Sequence, residues 1–558
     1  MKEMEFNLLE EPWVRVLLED YTVREVSLKD ALLNAEQYID LAGEVPTQDI
    51  AVLRLLLAIL HTVFSRVDAN GNDAPLETTD DALDRWEELW TFQSFPKSPI
   101  LDYLEKWRER FWLFHPQRPF WQVPEANIGT EYSAAKLNGE ILESGNKYRI
   151  FASCSGDKKK ELSYAQAARW LLYLNGFDDA SSKPKREKKT AKNLDEKQEK
   201  DSTKSEKSVG VGWLGKIGLI WVQGENLFQT LMLNLCLLRD GEALWERETP
   251  CWELEEARNK ERTEIVQPDN AAALLTLQSR RLLLHREEGC VTGYALLGGD
   301  FFERENAFCE QMTVWRSVQA KKDAPLVFLP RRHDPSKQFW REFPTTFLDN
   351  PGIRKPGVVR WIVRLQKECI LDRKTTVRFQ VAAVEYGSNN SLVSEMISDS
   401  LTFRSSLLLD ELSARWRAAV AEEVGRCEQL AAQLGYLAQK LVLAAGGGEK
   451  TAPEDVKQRF YFQIDQLFRD WFESIEPSWK GEEEINCIRQ WQEKAQQVAR
   501  TLGIQLVLEA GTVAFAGRGL SEKIGKGQSG KEIKQYYSAP KAFNDFLWKI
   551  KRIYQDPQ

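Results

Sequence analysis

The chain has 558 residues, long enough for about two to four domains at a typical ~150 residues each. Its 42% apolar content supports large cores, while 84 Asp and Glu against 76 Lys and Arg leave a net charge of -8. That balance argues against a generic nucleic-acid coat, although a local basic groove stays compatible with it because binding follows local potential.

The start, "MKEMEFNLLEEPW", has no apolar signal segment. Residues 6–16 read as a short strand with Pro-Trp punctuation, and residues 28–35 as a helix after Ser27. A strong helix is expected over 47–66 with Thr47 and Asp49 as caps. Its apolar run, broken by Arg54 and His61, reads as too short to span a bilayer, so no membrane partner is expected. Residues 80–114 read as continued helix, followed by the Pro-rich loop "HPQRPFWQV" at 115–123. The aromatic residues of this stretch suit a core, with stacking platforms as the alternative.

"SYAQAARWLLYLNG" (163–176) reads as a capped helix with Gly176 as its stop. The composition then changes. Residues 183–208 hold ten Lys or Arg, six Asp or Glu and no aromatic, so disorder is expected there. The segment is either a solvated loop or a flexible basic arm beside a phosphate backbone. Next comes "VGVGWLGKIG" (209–218), with a literal G-x-G-x-x-G at Gly210, Gly212 and Gly215. A dinucleotide fingerprint needs strand, loop, helix in that order. Here the order is loop, a short apolar strand, a turn, then a helix from about Glu225, so the glycines read instead as a side-chain-poor loop open to close approach.

"LLTLQSRRLLL" and "GYALLGG" read as paired strands, and "KPGVVRWIVRLQKECI" as a helix with Arg360, Arg364 and Lys367 on one face. A strand over Arg378–Val384 runs into Gly387, Ser388, Asn389, Asn390 and Ser391, a turn of small polar residues, after which helical character is expected to resume. On its own this is an ordinary surface turn. From about 402 the chain is helical: one long helix ending at Gly446, another from Thr451 to Pro477, a third over 481–508 and a fourth over 540–555. The last two are joined by a Gly-rich basic loop, "AFAGRGLSEKIGKGQSGKEIK". The fold class is therefore α+β: a large mixed domain over 1–400, then a four-helix bundle over 401–558.

The eight cysteines form no C-x-x-C and most read as buried reduced thiols, which points to a cytoplasmic protein without a disulfide framework or zinc site. None of the four histidines has metal-ligand spacing, and no nucleophile-elbow or P-loop motif occurs. Glu253, Glu255, Glu256 and Glu482–Glu484 read as solvated helix faces. No catalytic residue, metal or cofactor is expected, and a binding or assembly subunit fits best. The alternative is a stand-alone nucleic-acid-processing enzyme with an unrecognised active site.

Six segments in order, "FNLLEEPWVRV", "LFHPQRPFWQV", "AQAARWLLYLNGFD", "GWLGKIGLIWVQGENLFQTLMLNL", "LLTLQSRRLLL" and "QMTVWR", resemble the CasA family, the large subunit of the type I-E CRISPR Cascade complex. The resemblance implies a non-catalytic subunit whose partners are crRNA, the other Cascade subunits, double-stranded target DNA and a helicase-nuclease recruited to degrade it. It implies recognition of a PAM from the minor groove and a start to R-loop formation. The resemblance also implies site residues by position: for the DNA-binding glycine loop, Gly210, Gly212 and Gly215 with Lys216. For the PAM wedge the resemblance implies Gly387, Ser388, Asn389, Asn390 and Ser391, with Asn390 where relatives often carry Gln. For the loop anchoring the subunit and the crRNA handle it implies Arg149–Ser155, including Arg149, Phe151 and Ser153, with Phe151 as anchor. The family's lysine finger has no Lys counterpart in "LLGGDFFERE", and the cysteine quartet of some members is absent.

Overall fold

A computed structural model describes residues 4–139, 160–180, 210–256, 258–259, 263–265, 267–301, 303–319, 324–448, 453–524 and 531–555. The chain divides into two compact units. The first comprises Met1–Ser336, Thr345–Asp372 and Val377–Ser400, and the second Lys337–Pro344, Arg373–Thr376 and Leu401–Gln558.

The first unit is mixed, and the apolar helix Pro46–Phe64 lies in its core. By length and composition that helix could cross a membrane, contrary to the expectation that it is too short, but 94% of its most apolar window is buried within the protein. Thr47 and Asp49 do not cap it. The N-cap is Val45, Pro46 takes the first turn, and Asp49 instead accepts the Gly43 N–H at 2.6 Å. Arg54, inside this apolar face, is satisfied by a buried two-pronged pair with Glu310, both contacts at 3.0 Å.

Residues 80–114 are not one helix. Thr79–Phe92 and Lys97–Lys106 are separate, with Pro96 between them, and Trp112–Phe114 is a strand. The helix Tyr164–Phe177 opens on a Ser163–Gln166 capping box, as its sequence implies. It continues through Gly176, whose missing side chain makes room for Leu214. Strands Arg280–Glu287 and Cys290–Gly298 pair antiparallel, turning at Glu288 and Gly289, both with positive φ. Only the second half of "LLTLQSRRLLL" is strand, because Ala271–Leu275 is a short helix. A further three-stranded sheet has the order Leu219–Gln223, Thr376–Tyr386, Val393–Arg404. The segment after residue 391 is thus a strand, not a helix; period two shows only at its end, where Leu401 and Phe403 are buried and Ser400, Thr402 and Arg404 are not.

The second unit holds the long helices Asp410–Ala445, Pro453–Ser474, Glu482–Glu509 and Ala539–Ile553. Trp491, Ala495, Ala499, Leu502 and Leu506 recur at helical spacing and are buried. Trp340 stacks on Phe468 at 4.1 Å, and Trp471 on Trp491 at 5.1 Å. Gly446, in the left-handed region at φ 100°, ends the first helix. The basic segment between the last two helices is not a plain loop: Arg518–Ile524 pairs with Lys531–Tyr537.

Two acidic groups expected to be solvated are engaged. Glu253 takes both Arg66 prongs at 2.8 Å and the Tyr103 hydroxyl at 2.8 Å, and Glu484 is buried against Arg415. Among the described cysteines, Cys236, Cys309 and Cys427 are buried, Cys251, Cys290 and Cys487 are half-buried, and Cys369 is exposed.

Glu248 gives a pH prediction. It faces His61 across 3.7 Å beside a cavity of about 460 Å³. Burial pushes the Glu248 carboxyl up to about 8 from an ordinary 4.5, so the folded state holds a proton that the unfolded state releases. Its stability contribution is present below pH 4.5 and is lost as pH rises through about 8. Burial pushes His61 down from 6.5 to about 3, so its effect runs the other way and is confined below pH 6.5. Between pH 7 and 8.5 the stability of the first unit should fall by about 1 kcal/mol. Glu248→Gln should flatten that slope in urea titrations, and a variant as steep as the parent would count against a protonated Glu248.

Candidate nucleic-acid interface

The glycine loop and the 387–391 turn, 172 residues or more apart in sequence, meet in the first unit. The turn caps a stiff support. Strand Thr376–Tyr386 is buried at alternate positions and pairs with Leu219–Gln223 from Arg378 to Ala382. The Gly387 N–H donates to the Leu392 carbonyl at 2.9 Å, closing the hairpin. Inside it, the Asn390 N–H donates to the Gly387 carbonyl at 2.9 Å and the Ser391 hydroxyl to the Ser388 carbonyl at 2.8 Å.

Gly387 does not supply the special backbone of this turn; its φ is an ordinary -66°. Asn389 at φ 57° and Asn390 at φ 54° do, and Asn tolerates that region better than most residues with a side chain. Ser388, Asn389 and Asn390 are exposed, and among the described residues neither Asn side chain makes a hydrogen bond. Two amides, each with donors and an acceptor, therefore stand at the tip of a rigid hairpin.

The tip is tied to the segment before the glycine loop. The Ala180 N–H donates to the Asn390 carbonyl at 2.7 Å, and the Tyr386 hydroxyl to the Phe177 carbonyl at 2.7 Å. Burial pushes the Tyr386 phenol well above its ordinary range, so it stays a neutral donor. The glycines then have distinct tasks. At Gly215 a Cβ would fall 2.8 Å from Tyr386 Cζ, and at Gly212 it would fall 2.6 Å from the Gly176 carbonyl carbon. Both are buried and make room for the protein's own chain. Gly210 differs: it is half-buried, has φ 68°, and a Cβ there would meet nothing within 4 Å among the described residues. Lys216 is half-buried, its ammonium 5.1 Å from the Phe301 ring centre.

A model of the family described as CRISPR-associated protein Cse1 matches residues 7–502. The chain belongs to this family. It is 28% identical over 447 residues to a CRISPR-associated protein CasA/Cse1 of Thermus thermophilus, covering 79% of each chain. The crystal structure of Thermobifida fusca Cse1 superposes with a TM-score of 0.77 at 28% identity, covering 98% of both chains. A chain of a CRISPR RNA-guided surveillance complex shares the fold, with a TM-score of 0.68 at 14% identity over 99% of both.

In this Cse1-family chain several residues of the candidate interface escaped the sequence reading. Arg280 is buried, pairs with Asp178, and donates to the carbonyls of Asp179 at 2.9 Å and Gly210 at 2.7 Å. One guanidinium thus ties the first residue of the glycine loop to Asp178 and Asp179. Arg332 is exposed and lies 5.4 Å from the Tyr386 ring centre, while the Arg331 carbonyl accepts the Gly218 N–H at 3.0 Å. The basic run "PRRHDPSK" was visible in sequence, but its place beside Lys216 and the hairpin was not. Arg149, Phe151 and Ser153, and the Lys-rich 183–208 segment, lie outside the described residues.

Proposed function

We propose that this chain is the non-catalytic large subunit of a crRNA-guided DNA surveillance complex, reading a short PAM from the minor groove and helping to start duplex opening and R-loop formation. Its partners are then crRNA, the other subunits of the complex, double-stranded target DNA and a helicase-nuclease. Membership of the Cse1 family and the fold shared with a surveillance-complex chain support this reading. The observation that carries it is the hairpin tip: two exposed Asn side chains on a braced turn, joined through the Asn390 carbonyl to the segment leading to the glycine loop. Opening a base step costs a few kcal/mol, and only a stiff support can transmit that force. Lys216 and Arg332 bring positive charge suited to the adjacent phosphates.

Replacing both residues with glycine, Asn389→Gly and Asn390→Gly, tests this better than alanine. Glycine accommodates the positive-φ turn without the strain that alanine would add, and it removes both amides. In the reconstituted complex the loss on paired PAM-bearing DNA should be about 1–3 kcal/mol, the size of one good polar base contact. It should shrink on a target already unpaired beside the PAM. Binding is compared at one fixed salt concentration. Equal losses on both targets would refute a wedge and leave residues 387–391 as a surface turn.

A further inference from the structure

The Pro-rich segment 115–123 is not part of the interface above, yet its backbone is held unusually firmly. His115 Nδ1 accepts the N–H groups of Gln117 at 3.1 Å and Arg118 at 2.9 Å. The Phe120 N–H donates to the Trp112 carbonyl at 2.8 Å, and the Val123 N–H to the Leu282 carbonyl at 3.0 Å. The Gln122 side chain donates to the Leu113 carbonyl at 2.7 Å and accepts the Leu284 N–H at 2.8 Å. Within this frame Trp121 has φ 58°, a region that bulky side chains rarely occupy. Such strain persists only where the surroundings enforce it, and it concentrates at functional sites.

The segment forms one wall of a recess of about 50 Å³, whose other wall includes Cys251, Arg258 and Gln278. Its charged lining is all positive: Arg110, Arg118 and Arg258. Arg258 is paired with Asp300 at 3.0 Å. Arg110 and Arg118 have no carboxylate partner among the described residues. Burial, and then the Arg118 charge, push the Arg110 guanidinium below its ordinary range, the mark of cations lacking a counter-charge. Trp121 is only 8% exposed, and its indole N–H is buried without an acceptor. Buried donors left unpaired are costly, and the Arg110 and Arg118 guanidiniums in addition lack a negative counter-charge among the described residues.

We propose that this recess binds a single phosphoryl group, held by the Arg110 and Arg118 guanidiniums. Guanidinium forks match phosphate oxygens, and the donors are preorganised by the pinned loop. A volume of about 50 Å³ suits one tetrahedral anion, whereas a whole small-molecule ligand occupies roughly 300 Å³ or more. The phosphoryl group can come from free phosphate or from a nucleic-acid backbone, and its failure would leave the hairpin reading untouched.

The test is thermal melting of the full chain with inorganic phosphate against chloride at matched ionic strength. Parallel arms use a short RNA and a DNA of the same sequence. Phosphate or an oligonucleotide should raise the melting point of the chain by about 2 °C or more at saturation. Arg118→Ala removes an exposed side chain and should fold normally. Without ligand it should melt at or above the parent, because like-charge repulsion is relieved. With ligand it should melt below the parent, and Arg118→Lys should restore part of the response. A response to phosphate alone assigns free phosphate, and a response to oligonucleotides alone assigns a backbone phosphate. No response in any arm, or a full response in Arg118→Ala, overturns the site.

Discussion

Gly212→Val is expected to destabilise the free protein by about 3 kcal/mol, the upper range for forcing extra volume into packed structure. The obstacle is not a pliable side chain. A Cβ at residue 212 would lie 2.6 Å from the Gly176 carbonyl carbon and 3.1 Å from the Asn175 carbonyl oxygen, both helix backbone. Relief requires moving the helix Tyr164–Phe177 or breaking the 2.9 Å bond from the Gly212 N–H to the Asp178 carbonyl. Gly176 has the reciprocal task, since a Cβ there would lie 2.9 Å from Leu214 Cγ. The two glycines allow one close crossing, and that crossing sets where the loop begins. Urea unfolding followed by tryptophan fluorescence measures the loss. A Gly212→Val chain that unfolds like the parent but no longer binds DNA would return this glycine to the role of admitting a ligand. Gly210→Ala should cost only about 1–2 kcal/mol, the strain of a left-handed residue with a side chain, because no atom obstructs it among the described residues.

The contrast shows what the sequence could and could not carry. G-x-G-x-x-G was legible as a loop that needs glycine. The reason for each glycine was not legible, because the neighbours are Gly176 and Tyr386, remote in sequence. The capped helix at 163 and the strand running into the 387–391 turn were readable because capping and periodicity are local signals. The strand after the turn was missed because its outward residues are polar and its inward ones mixed, so neither period dominates by eye. The hairpin Arg518–Ile524 with Lys531–Tyr537 was missed for a similar reason: glycines and lysines hide a pairing that only partner geometry reveals. Buried ion pairs were invisible altogether, since no local pattern announces that Arg54 will find Glu310.

Arg54→Met is expected to cost about 3–5 kcal/mol, because it strands a carboxylate rather than merely deleting a contact. The Arg54 and Glu310 side chains are 3% and 0% exposed, so water cannot replace the lost partner. Glu310 is also a hub: it accepts the Trp213 indole N–H at 3.0 Å and the Met312 N–H at 3.1 Å. Trp213 lies between Gly212 and Gly215, and its own N–H donates to Ser279 Oγ at 3.0 Å. The pair therefore anchors the glycine loop to the core helix Pro46–Phe64. The double variant Arg54→Met with Glu310→Gln separates charge from packing. A neutral amide keeps one acceptor for the indole and no longer needs a counter-charge, so the double variant should be more stable than Arg54→Met alone by at least about 1 kcal/mol. Urea unfolding of the full chain compares the two losses. If Arg54→Met and the double variant lose the same amount, the damage is a packing defect and the ion pair does not govern the loop. If the double variant recovers stability but binds PAM-bearing DNA more weakly than the parent, the Trp213 anchor sets loop geometry for recognition. The same buried charge pair would then hold the core together and aim the interface.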